Sequence, residues 1–102
     1  MNVRLLGPAR VDLLDAADYY GLDSAATSDR FLDAFGRLLV RLQLLPQSGW
    51  RPQSVPRGRQ VRETLVPGFP YRVVYELIDA EIVIVAITHA RARKQPWRER
   101  LP

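Results

Sequence analysis

Cysteine is absent from the 102 residues, which excludes disulfides, thiolate metal sites and a cysteine nucleophile. Lys94 is the only lysine, His89 the only histidine and Met1 the only methionine. With one imidazole and dispersed carboxylates there is no cluster of metal-ligand type, and no glycine-rich loop for cradling phosphates, so neither a metal nor a cofactor is expected. Long apolar runs are missing as well: the longest is Ile82–Ile87, far short of a membrane span. Met1–Leu6 has no apolar stretch of signal-peptide length, so a soluble cytoplasmic protein without a membrane partner is expected. A chain of this length and ordinary composition suits a single domain, residues 1–102.

The charge is unevenly placed. Residues 1–88 hold ten Lys/Arg and ten Asp/Glu, whereas the last fourteen carry Arg91, Arg93, Lys94, Arg98 and Arg100 against Glu99 alone. The whole net charge of +4 therefore lies in the tail. A second basic stretch runs Arg51, Arg57, Arg59, Arg62 before the acid Glu63. Clustered cations raise the local potential and favour an acidic or polyanionic partner, although a solvated charged surface is the plainer reading of a basic tail.

Hydrophobic spacing divides the chain into two halves. Asn2–Leu6 reads as a short strand closed by Gly7-Pro8, and Ala9–Tyr20 as a helix with Leu13, Ala17 and Tyr20 on one face, Leu14 beside them and Asp12, Asp15 and Asp18 elsewhere. Phe31, Phe35, Leu38, Leu42 and Leu45 step by four and three and predict a second amphipathic helix, with Ser24 or Ser28 as its cap and Pro46 as its stop. The short connection predicts an antiparallel helical hairpin. After a Pro/Gly-punctuated loop over Gln47–Gly58, the period changes to two at Val61–Leu65; Tyr71–Ile78 and Glu81–Thr88 follow as strands, the last apolar on both faces. Asp79-Ala80 is short enough for a tight hairpin, although alanine suits positive φ poorly. The order β-α-α-β-β-β predicts an α+β fold, an antiparallel sheet packed on one face by the helical hairpin.

Several segments in this order resemble the RelE/ParE toxin superfamily: Val61-Arg62-Glu63, Gly68-Phe69-Pro70-Tyr71-Arg72-Val73-Val74-Tyr75, Ile82–Ile87 followed by His89-Ala90-Arg91-Ala92-Arg93, and Pro96-Trp97-Arg98. Asp12-Leu13, Tyr19-Tyr20, Phe31 and Leu45-Pro46 fit at matching spacings. The resemblance implies a RelE/ParE-like fold and a growth-inhibiting, plasmid-stabilisation-type toxin of a type II toxin–antitoxin system, held inactive by a cognate antitoxin protein. Its target would be DNA gyrase, as for ParE-like members, or mRNA on the ribosome, as for RelE-like mRNA interferases. A plain interaction module without toxicity is the third reading.

For a ribonuclease the resemblance implies catalytic roles for Arg72, His89, Arg91 and Arg93: guanidiniums to grip phosphate oxygens and an imidazole to move the proton. The alternatives for these residues are ion pairing of Arg72 with Glu63 or Glu76, and a backbone hydrogen bond for His89. Arg62, Lys94, Trp97, Arg98 and Arg100 would form a binding surface, with Trp97 either a stacking platform or an anchor folding the tail onto the sheet. Trp97 stands where many RelE-like nucleases have a tyrosine, and indole offers only a donor. The lysine-rich strand ends of those nucleases are missing too. Gyrase poisoning needs no acid–base set, and the balance of these residues favours the ParE-like reading.

Overall fold

The stripe on the second helix is where the core begins. In the computed structural model, which describes Met1–Pro102, helix α2 spans Ala25–Leu44 and buries Phe31, Ala34, Phe35, Leu38 and Leu42. Ser24 caps it, its Oγ accepting a 3.0 Å hydrogen bond from the Thr27 N–H. Leu45, expected on the buried stripe, lies past the helix end and is exposed, because Pro46 stops the helix one residue short of that turn. Helix α1, Gly7–Gly21, carries Pro8 in its first turn and buries Ala9, Ala16 and Ala17, small residues that let its backbone sit close to the sheet.

Strands β1 (Asn2–Leu5), β2 (Val61–Leu65), β3 (Tyr71–Ile78) and β4 (Glu81–His89) form one sheet in the order β1-β4-β3-β2. The β2–β3 and β3–β4 pairs are antiparallel as expected, whereas β1 lies parallel to β4, with Asn2 opposite Glu81. The helical hairpin is the crossover that a parallel pair requires, since no tight turn can join two parallel strands. It covers one face of the sheet, and a last short helix, α3 (Trp97–Arg100), covers part of the other. At the β3–β4 hairpin, Asp79 takes the positive φ, at 52°, which spares Ala80 that conformation. No helix is long and apolar enough to cross a membrane.

Asp12, expected to face away from the core, turns to β4 instead. Pairing with β1 ends at Ile84, so the outer edge of β4 beyond it has free backbone groups. The Asp12 carboxylate accepts from the Ile87 N–H at 3.0 Å, and Arg100 donates to the Val85 carbonyl at 3.1 Å. The two side chains pair with each other at 2.7 Å. Together they take over the ladder where β1 stops, as buried backbone groups require.

The loop after α2 is pinned to the sheet by Tyr75. Its hydroxyl donates to the Pro46 carbonyl at 2.8 Å and accepts from the Gly49 N–H at 3.0 Å. Burial pushes the phenol above its ordinary pKa, so it remains a donor well past neutrality. A Cβ on Gly49 would meet the Glu63 carbonyl and the Tyr75 hydroxyl at 2.7 Å, so only glycine fits there. Tyr75→Phe strands both loop groups, and a loss of about 1–3 kcal/mol is expected in urea unfolding, with faster amide exchange confined to the loop.

Candidate functional site

Strand alternation decides which basic side chains can act together. On β3, Tyr71, Val73, Tyr75 and Leu77 face the helices, whereas Val74 packs on the opposite side with Val61, Val85, Ala86 and Trp97. Arg72 and Glu76 share the side of Val74. So does Glu63, which stands directly opposite Val74 on β2. We call this side the open face. Trp97 is buried on it, so the residue is an anchor that folds the tail back, and its ring is closed to stacking by a ligand.

The expected catalytic residues separate. His89 is the register partner of Tyr71, and Arg72 that of Thr88. His89 and Arg72 therefore project from opposite faces of the sheet. The His89 ring meets Tyr71 edge-on at 5.3 Å, beside a cluster of Tyr20, Phe31 and Phe69. Its Nδ1 accepts the Arg91 N–H at 3.1 Å, which leaves Nε2 to carry the proton of the neutral ring. Burial raises the Tyr71 and Tyr20 phenols, so neither is a proton acceptor near neutral pH. Arg72 pairs with Glu63 at 2.9 Å and donates to the Ala90 carbonyl at 3.0 Å; Glu76 is taken by Arg59 instead.

The expected binding residues divide as well. Arg62 lies on the helix side of β2, opposite Tyr75, and donates to the carbonyls of Gln47 and Gly49. Arg100 is occupied by Asp12 and the β4 edge. Both are part of the scaffold. Arg98 lies over the Trp97 ring at 4.3 Å and donates to the Gln53 and Ser54 carbonyls, which ties the tail to the loop before β2. Arg91, Arg93 and Lys94 are exposed and take part in none of the ion pairs. They form an unneutralised basic ridge between β4 and α3.

A polar cleft of about 280 Å³ opens beside this ridge, lined by Trp50, Arg51, Pro52, Gln53, Glu63, Arg72, Gln95 and Arg98. Trp50 reaches it through a bridge to β2, its N–H donating to the Glu63 carbonyl at 3.0 Å. Sequence reasoning singled out neither Trp50 nor the two glutamines. The adjacent pair Trp50-Arg51 in a proline-rich loop was the available signal, an aromatic beside a cation where no core position needs one.

The model of the family described as "ParE toxin of type II toxin-antitoxin system, parDE" matches residues 3–93. No curated protein matches the sequence. Among solved structures, a chain from "Chromosomal ParDE TA system from P. aeruginosa" is similar at a TM-score of 0.74 and 22% identity, covering 89% of this chain and 97% of that one. A likeness at that identity speaks for the fold. The family match spans all four strands, both long helices and the start of the basic ridge, and the chain belongs to the ParE toxin family of type II toxin–antitoxin systems.

Proposed function

We propose that this chain is a toxin of the ParE type that binds DNA gyrase, traps its cleaved-DNA state and is neutralised by a cognate antitoxin. The observation that carries the gyrase reading is the placement of His89 and Arg72 on opposite faces of the sheet. An in-line attack by a ribose hydroxyl needs base, acid and guanidinium around one phosphodiester. A binding poison needs only a well-anchored surface, which the ridge of Arg91, Arg93 and Lys94 beside the Trp97 anchor supplies. An antitoxin reading is supported by the groove between α1 and α2, lined by Leu5, Leu13, Leu14, Leu32, Phe35 and Leu39, apolar and open enough for an amphipathic segment.

The test is a gyrase-cleavage assay run beside a ribosome-bound mRNA cleavage assay. Purified protein is expected to accumulate cleaved DNA with gyrase and to leave the mRNA intact. Arg91, Arg93 and Lys94 changed together to glutamine should lower gyrase trapping at least tenfold, as roughly 1.4 kcal/mol of lost interface energy would. His89→Gln should trap as the parent does. Cut mRNA that disappears with His89→Gln would overturn the proposal in favour of the nuclease. Substitution is the right probe here, because deleting the tail would also remove Trp97 from the interior.

A further inference from the structure

We propose that the cleft between Trp50 and Arg72 is a nucleotide-binding site, taking one unit of a single-stranded polynucleotide with its phosphodiester among the arginines and its base on Trp50. Three guanidiniums line the cleft, from Arg51, Arg72 and Arg98, against one carboxylate, that of Glu63. What holds each arginine matters. Arg51 donates to the Arg59 carbonyl at 3.3 Å, and Arg98 to the Gln53 carbonyl at 2.9 Å and to the Gln95 side chain at 2.8 Å. Carbonyls fix the direction of a guanidinium without cancelling its charge, so two of the three cations are oriented and still unneutralised. That is preorganisation for an anion with several acceptor oxygens.

Trp50 supplies the second half of the recognition. Trp50 is 50% exposed, although the chain buries its other tryptophan almost completely. An indole face at the rim of a basic cleft is a platform for a planar base, and stacking of this kind tolerates any base identity. The bases of a duplex are already stacked on one another and are closed to it. The volume of about 280 Å³ is on the scale of one nucleotide unit.

Glu63 has a separate part in this site. Its carboxylate lies 2.9 Å from Arg72 Nε and holds the place that a phosphate oxygen would take. It acts as a tethered competitor, and a bound phosphodiester must displace it from Arg72. Arg72 keeps its direction without Glu63, because the Ala90 carbonyl also holds it at 3.0 Å. The site deepens the gyrase reading by giving the open face a means of holding DNA, and it rests on that reading for its setting alone. It does not depend on gyrase for its test.

The experiment measures anisotropy of labelled oligodeoxythymidine, oligouridine, a hairpin duplex and polyglutamate with the full chain, alongside quenching of tryptophan emission. Both single strands are expected to bind and to quench the exposed indole. Affinity should fall with salt at a log–log slope of about −0.7 per phosphate contacted. Trp50→Leu should weaken binding roughly tenfold. Arg51→Gln should weaken it too and lower the salt slope, and it gives the same reading should Trp50→Leu not fold. Glu63→Gln should tighten binding. Tighter binding of the deoxy strand assigns the cleft to DNA, and of the ribo strand to RNA, both in support. Equal affinity for duplex or polyglutamate, or a folded Trp50→Leu that binds as the parent does, overturns the site. So does weaker binding by Glu63→Gln. Gyrase trapping that fails while the strands still bind counts against the toxin target alone.

Discussion

Trp97→Ala is expected to destabilise the protein by about 3–5 kcal/mol, the usual cost of emptying a buried aromatic site. Trp97 is 2% exposed and is the largest side chain of the second apolar cluster, packed with Val61, Val74, Val85 and Ala86. Those partners come from three different strands and cannot collapse inward, because the sheet backbone holds them apart. Against a typical total of about 5–15 kcal/mol for a small domain, such a loss is a large fraction. Urea unfolding should show the midpoint shift, and limited proteolysis should show cleavage around Lys94 and Arg98 at denaturant levels where the parent is intact. Trp97→Phe should recover part of the stability. A Trp97→Ala protein as stable as the parent would mean that the open face does not need its tail.

The second large effect is expected at Arg59. Its guanidinium makes two hydrogen bonds to the carboxylate of Glu76, which is 3% exposed, and a third, at 2.9 Å, to the Pro102 carbonyl. The hydrogen bond to Glu76 is the main reason that Arg59 is held even more firmly protonated than usual. Arg59→Leu leaves a buried carboxylate without a counter-ion, and about 3 kcal/mol of stability should be lost at neutral pH. Urea unfolding of parent and variant should show that loss. Adding Glu76→Leu to the variant removes the orphaned charge, so most of the loss should return. A double variant as unstable as Arg59→Leu would mean that Arg59 acts through packing alone.

The periodic parts of the fold were open to reading, and the parts set by partners were not. The four-three stepping from Phe31 to Leu42 specified α2, because a wide apolar stripe has no other stable use in a small chain. The strands β2 to β4 followed from alternation and turn residues. The parallel pairing of β1 did not, because Asn2–Leu5 has too few residues to state which neighbour it meets. Periodicity sets Asp12 off the apolar face that holds Leu13, and it says nothing of what Asp12 meets there. Its partners, Ile87 and Arg100, lie 75 and 88 residues away, and no local pattern records them. The candidate site shows the same division. That Arg62 and Arg72 are basic and near strands is written in the sequence, but their opposite faces follow from the register of Arg62 with Tyr75 and of Arg72 with Thr88. Trp97 as an anchor was one of two readings, and only burial over the valines separates them.

The parallel pairing of β1 with β4 also bears on the order in which the protein is made. Asn2 lies opposite Glu81, so the first strand synthesised waits for the fourth before it has a neighbour to bond. The helical hairpin can form early from contacts close in sequence, yet β4, the strand against which α1 packs, is still missing. Closing a loop of that length is entropically unfavourable until the whole sheet rewards it. A chain cut off before Glu81 therefore keeps its helical hairpin and at most the β2–β3 pair, without the strand on which α1 packs. Fragments from broken messages therefore lack the strand that completes the core, and they should be open to proteases.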